Sequence, residues 1–250
     1  MAVRTISWIS AALIILTGCT QYRHISRTDV TYTTVESHTT TDQDESIVAL
    51  IAPYKEQIDA EMNEVIGNVA RELTKRRPES TLGNFVGDAM MYGALKEDPE
   101  VSFAVSNYGG LRVNYLSPGA LTKGKIFELS PFDNTLVIVE MNVSELDTLM
   151  QAIAGMGGWP ISRGVKIIIH KDAPAEYTIH GKKPDPNAIY KVAMPDYIAN
   201  GGDGLKHLIS LERSQSGKLV RDIIMEYVGA LTQKGESVDA AIEGRITETD

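Results

Sequence analysis

Residues 101–112 read Val-Ser-Phe-Ala-Val-Ser-Asn-Tyr-Gly-Gly-Leu-Arg, a short apolar run that passes directly into two glycines and an arginine. The run over 101–105 suits a buried strand, because an uncharged stretch is bounded at once by turn-forming residues. A second run, Thr135-Leu136-Val137-Ile138-Val139-Glu140-Met141, is the clearest buried strand in the chain, and a helix over 144–154 is expected behind it. Working outward, Ile47, Leu50, Ile51, Tyr54, Ile58 and Met62 recur at helical spacing and predict a first amphipathic helix. Ser80 or Thr81 is placed to cap a second helix, whose apolar face is Leu82, Phe85, Val86, Ala89 and Met90. Residues 65–73 read as a short strand. Residues 165–169 and 176–180 read as strands paired through a turn at 171–174. A further strand is expected over 189–194 and a last helix over 219–231. Strands and helices alternate without strict βαβ regularity, so the expected fold class is α+β (mixed α/β): one domain with a mixed sheet flanked by helices.

The chain has 250 residues and a formal net charge of -9, which disfavours nucleic-acid polymers and acidic membrane surfaces as partners. Its single cysteine, Cys19, excludes an intramolecular disulfide and a thiolate metal cluster. Arg4 precedes an apolar stretch over 6–16, too short for a comfortable membrane span and suited to a signal-peptide core. The stretch ends in Leu16-Thr17-Gly18-Cys19, which resembles the bacterial lipoprotein processing box. That resemblance implies acylation of Cys19, with residues 1–18 as signal peptide and a cell-envelope location, anchored to a bacterial membrane and facing the periplasm or the exterior. Residues 19–45, rich in Thr and Ser, read as a solvated tether, although the alternation of Val30, Tyr32 and Val35 is also compatible with an added edge strand. Residues 46–250 are expected to form the folded domain.

Four segments of that domain carry chemistry. They are Arg76-Arg77-Pro78-Glu79-Ser80-Thr81-Leu82-Gly83-Asn84-Phe85-Val86-Gly87-Asp88-Ala89-Met90, Asn107-Tyr108-Gly109-Gly110-Leu111-Arg112, Ser130-Pro131-Phe132-Asp133-Asn134-Thr135, and Asp196-Tyr197-Ile198-Ala199-Asn200-Gly201-Gly202-Asp203-Gly204. Gly109 and Gly110 permit close approach of backbone to a ligand and conformations closed to other residues. Arg112 offers a planar fork for phosphate or ribose oxygens, and the Asn107 amide suits a ribose hydroxyl or a base edge. Phe132 and Tyr197 are aromatics in loops, where two rings can clamp a flat base. Asp203 can accept from ribose hydroxyls. Each segment also has a plain reading: a tight turn at Gly109-Gly110, a core aromatic at Phe132, a hydrophobic edge at Tyr197, a rigid glycine turn at Asp203. Asn84 and Asp88 read as structural. His24 and His38 read as solvated bystanders, and His170, His180 and His207 as isolated surface or strand-end side chains without a metal-ligand pattern.

In this order and spacing the four segments resemble the C-terminal, substrate-binding domain of the bacterial 5'-nucleotidases, over a stretch running from about Ile47 to the end. The resemblance implies that Phe132 and Tyr197 sandwich the base, that Asn107 and Asp203 hold the nucleoside, and that Arg76 and Arg112 reach substrate oxygens. Arg77 is an alternative to Arg76. Tyr108 departs from the small residue usual in the family and Tyr197 replaces the more common Phe. In complete family enzymes a preceding metallophosphoesterase domain holds two divalent metals and supplies the catalytic residues. No catalytic residue, metal ligand or cofactor is therefore expected in this chain. Three readings follow: one part of a split nucleotidase that pairs with a separately encoded metallophosphoesterase subunit, a stand-alone nucleoside- or nucleotide-binding lipoprotein, or a degenerate domain kept for protein interaction.

Overall fold

The structure, a computed structural model, describes residues 31–32 and 44–249. The expected signal peptide, Cys19, His24, His38, Val30, Val35 and most of the tether lie outside the described residues. By its contacts the chain divides into residues 1–50 and residues 51–250. The first unit contributes Thr31, Tyr32 and the start of helix α1 (Glu45–Met62) to the description. The helix forms where the apolar spacing placed it, yet none of residues 51–62 is buried, and Ile51, Tyr54 and Ile58 stay exposed. An apolar period specifies a helix; it does not specify what the apolar face meets. Among the described residues no helix is long and apolar enough to cross a membrane.

Residues 51–250 continue with β1 (Val65–Val69), β2 (Leu73–Thr74), α2 (Thr81–Glu97) and β3 (Phe103–Ala104). Next come β4 (Tyr115–Leu116), β5 (Gly119–Thr122), α3 (Lys123–Leu129), β6 (Thr135–Met141) and α4 (Val143–Gly155). The chain ends through β7 (Val165–His170), β8 (Glu176–Ile179), β9 (Tyr190–Pro195), α5 (Asp196–Ala199), β10 (Arg213–Leu219), α6 (Val220–Gln233) and β11 (Ile246–Thr249). The central sheet has the order β10-β6-β9-β3, with β6 antiparallel to both neighbours and β3 parallel to β9. A three-stranded sheet, β11-β7-β8, and two short ribbons, β1-β5 and β2-β4, complete the α+β fold.

At β6, β9 and β3 the sheet is covered on both faces, which is why these strands read as unbroken apolar runs rather than as alternating ones. Leu136, Ile138, Ala193 and Ala104 belong to one buried cluster, with α2 and α6. Val137, Val139, Met141, Val192, Met194 and Phe103 belong to a second, with α4 and β7. Helix starts follow ordinary capping chemistry. The Ser80 hydroxyl accepts from the Gly83 N–H at 2.9 Å, and Asn142 and Glu145 form a reciprocal capping box at α4. β10 escapes sequence reading because its Arg-Ser-Gln-Ser-Gly-Lys-Leu edge carries no apolar period, and Gly217 (φ 70) bulges it.

A buried ionic clasp closes the chain's end onto α2. Arg245, 3% exposed, makes a two-pronged pair with Asp88 at 2.7 and 2.8 Å and bonds Glu243 through Nε at 3.0 Å. It also donates to the Ile161 carbonyl at 2.7 Å. Buried Glu79 accepts from the backbone N–H of Glu243 and Arg245 and, at 2.6 Å, from the Asn84 amide. Glu79, Asn84 and Asp88 thus serve the fold, in agreement with the structural reading of the latter two. Removing one partner of such a cluster strands a buried charge. Arg245→Met is expected to lower unfolding free energy by about 3–5 kcal/mol in urea titration; a loss below about 1 kcal/mol, the level of an exposed pair, contradicts the clasp.

Candidate functional site

The register of the central sheet decides which loops meet. Leu136 lies opposite Pro195 in the β6–β9 ladder, so the residues just before β6 and just after β9 leave the sheet side by side. β3 runs parallel to β9, with Ala104 opposite Ala193, and its continuation through residues 105–112 reaches the same end. Phe132, Tyr197 and Asn107, far apart in sequence, are brought together in this way. Asp196 ties two of the loops directly: its Oδ1 accepts from the Thr135 N–H at 3.2 Å.

Between these loops lies a cavity of about 270 Å³ lined by Asn107, Gly109, Gly110, Arg112, Phe132, Asn134, Tyr197 and Asp203. Every expected site residue except Arg76 is present, and Asn134 joins them from within the third sequence segment. Phe132 is 43% exposed and Tyr197 is 44% exposed, so neither is a core aromatic. The Tyr197 ring lies so close to Gly202 that a Cβ there would sit 2.4 Å from it. The Tyr197 hydroxyl donates to Asp203 Oδ1 at 3.3 Å, and the Asn107 amide donates to Asp203 Oδ2 at 2.7 Å. Since a carboxylate only accepts, these bonds orient the Asn107 amide with Nδ2 toward Asp203. Asp203 itself has φ 52, a conformation Asp tolerates better than most residues, between Gly201 (φ 88) and Gly204 (φ 85).

The glycines of the second segment act differently from expectation. Neither Gly109 nor Gly110 has positive φ, so no special backbone conformation is involved. Gly110 is required by close approach: a Cβ there would lie 2.8 Å from Asn107 Oδ1, whereas at Gly109 the nearest atom is an ordinary 3.6 Å away.

A cationic rim adjoins the cavity. Arg112 lies 5.7 Å from the Phe132 ring centroid. Lys75 donates to the Leu111 carbonyl at 2.7 Å and sits 4.1 Å over the Tyr108 ring, with Arg77 at 4.3 Å from the same ring. Burial, then the positive charges of Arg112 and Arg77, holds the Lys75 ammonium below the usual lysine range. Among the described residues, none of Lys75, Arg76, Arg77 and Arg112 pairs with a carboxylate. Arg76 and Arg77 are both exposed and neither lines the cavity; Arg77 differs in lying over the Tyr108 ring. Lys75 was missed, although three consecutive cations in a chain of net charge -9 were a signal.

The cavity offers rings, hydrogen-bond groups and cations. Among the described residues no three His, Cys, Asp or Glu side chains gather into a set able to hold a metal ion. His170 lies at a strand end beside Thr249 and Glu176, His180 is exposed, and His207 is half-buried in a short 3₁₀ turn. A larger cavity, about 710 Å³, borders β7 and β8 and shares no lining residue with the first.

Known proteins share the sequence pattern and the fold of this chain. The profile of the family described as 5'-nucleotidase, C-terminal domain, matches residues 61–210. Protein UshA of Yersinia enterocolitica is 26% identical over 204 residues, covering 80% of this chain and 36% of the relative. The trifunctional nucleotide phosphoesterase protein YfkN of Bacillus subtilis is 26% identical over 216 residues, covering 78% of this chain and 14% of the relative. A crystal structure of a 5'-nucleotidase precursor from Thermus thermophilus superposes with TM-score 0.67 at 26% identity, over 83% of this chain and 44% of that one. The chain thus spans less than half the length of each of these proteins. With the fold, the matched profile and the four segments in agreement, the chain belongs to the 5'-nucleotidase C-terminal domain family.

Proposed function

We propose that this domain recognises nucleosides and nucleoside monophosphates for a 5'-nucleotidase-type phosphohydrolase system. The observation that carries the reading is the convergence of two exposed rings, a hydrogen-bonded Asn–Asp pair and cations that pair with no carboxylate among the described residues at one end of the sheet. The base stacks between Phe132 and Tyr197. Asp203, held from two sides by Asn107 and Tyr197, presents its remaining lone pairs to ribose hydroxyls. Arg112, with Lys75 and Arg77 beyond it, faces the phosphate. The YfkN relative, a nucleotide phosphoesterase by name, and the Thermus 5'-nucleotidase support a nucleotide as the ligand. Hydrolysis takes place on divalent metals held by a metallophosphoesterase domain or subunit that pairs with this one. Stacking on the base then orients the phosphate there, so that binding free energy is used for positioning. The Leu16-Thr17-Gly18-Cys19 box supports acylation of Cys19 and an envelope location. Several acyl chains on one residue are enough for stable anchoring.

Calorimetric titration of the full chain with adenosine and AMP tests the slot. Phe132→Ala and Tyr197→Ala are each expected to weaken both ligands by about 1–3 kcal/mol, the contribution of a stacked base; parent-like affinity in both variants rules the clamp out. Lys75→Met is expected to reduce AMP affinity while sparing adenosine, and added salt to do the same in the parent. Equal effects on the two ligands contradict the cationic rim as a phosphate subsite. For the anchor, Cys19→Ala is expected to move the protein from the membrane to the soluble fraction on cell fractionation; membrane retention of the variant contradicts acylation at that position.

A further inference from the structure

Phe132 is exposed and belongs to neither buried apolar cluster, so core packing alone does not fix where it stands. It sits in the loop between α3 and β6, and that loop is bonded from outside the cavity by the start of α6. The Val220 N–H donates to the Asn134 carbonyl at 2.9 Å. Arg221, next in the chain, is 7% exposed and reaches the loop with its guanidinium. Nη2 donates to Asp133 Oδ1 at 2.9 Å, Nη1 approaches the Phe132 carbonyl at 3.5 Å, and the guanidinium carbon lies 4.2 Å over the Phe127 ring. Phe127 belongs to α3, on the near side of Ser130-Pro131. One side chain therefore grips both the helix before the loop and the loop itself.

The chemistry of the partners is informative. Arg221 is the buried member of the pair, whereas the Asp133 side chain is 80% exposed. An exposed carboxylate gains little from an ion pair, and a buried guanidinium is costly to desolvate. A long apolar side chain at position 221 would suit the core it borders better than a charged one. What an arginine adds is a planar fork that can hold a carbonyl and a carboxylate of adjacent residues while its face lies on a ring. A lysine offers one point charge and no flat face.

We propose that Arg221, through Asp133 and the Phe132 carbonyl, is a positioning residue that sets the place of the Phe132 wall and with it the width of the base slot. The inference rests on the reading of Phe132 and Tyr197 as a base clamp and adds a determinant that touches no ligand. Pre-forming the wall in the free protein removes an ordering cost from binding. Loosening it weakens every ligand that stacks there, and does so only while a ring is present at position 132.

A double-mutant cycle separates this role from a general structural one. AMP affinity is measured by calorimetry for the full-length parent, Arg221→Lys, Asp133→Ala, Phe132→Leu, and each of the first two combined with Phe132→Leu. Thermal unfolding of each variant checks folding. Asp133→Ala, at an exposed side chain, keeps the test intact where Arg221→Lys lowers the folded fraction. Each single change at 221 or 133 is expected to weaken AMP binding about three- to tenfold in the parent, and less than about twofold in the Phe132→Leu background. Equal losses in both backgrounds, or no loss from either change, overturn the proposal and leave the clamp reading standing. A parent that does not bind AMP, or a Phe132→Leu variant that binds it like the parent, overturns the clamp reading and this inference together.

Discussion

The ladder between β6 and β9, extended by β3, is the constraint on which everything at the site depends. With Leu136 opposite Pro195 and Ala104 opposite Ala193, three loops must emerge at one end of one sheet. A slip by one residue would turn Leu136, Ile138 and Ala193 toward the wrong core and carry Phe132 and Tyr197 out of alignment. Both faces of these strands are buried, so such a slip is opposed on two sides at once. Precision at the cavity is thereby inherited from the part of the protein that is hardest to deform.

Charge is distributed according to two opposite rules. Around buried Arg245 the charges are matched: half-buried Asp88 and exposed Glu243 meet the guanidinium, and buried Glu79 meets the backbone N–H groups beside it. That cluster closes the fold and lies apart from the cavity. At the rim the rule is reversed, because Lys75, Arg77 and Arg112 stand near one another with no carboxylate among the described residues to balance them. In a chain of net charge -9 such a cluster is a local positive field, which is the feature the proposed phosphate subsite rests on. The Asp203 carboxylate is shared between the Asn107 amide and the Tyr197 hydroxyl, which fixes its orientation at the cavity.

Much of this was legible in the sequence. The buried strands and the capped α2 helix announce themselves because apolar period and capping chemistry are local signals. The cavity lining was largely legible through four short segments, since loops that bind a ligand keep their chemistry in adjacent residues. The rest depends on tertiary contacts. β10 is a polar edge whose pairing is decided by β6, and nothing in Arg-Ser-Gln-Ser-Gly-Lys-Leu points to a strand. Arg76 and Arg77 are equivalent on paper; only the folded loop turns Arg77 over Tyr108, while neither reaches the cavity lining. The requirement for glycine at 110 comes from the Asn107 side chain rather than from dihedral freedom. Arg221 sits in an ordinary helical sequence, and its part in the site appears only when α6 is docked beside the loop it holds.

The most direct test of the account is a crystal structure of the chain with AMP. The account predicts the adenine ring between Phe132 and Tyr197, ribose hydroxyls on Asp203, and the phosphate toward Arg112 and Lys75. AMP seated elsewhere, for instance in the larger cavity beside β7 and β8, with the space between the two rings unfilled, would contradict it.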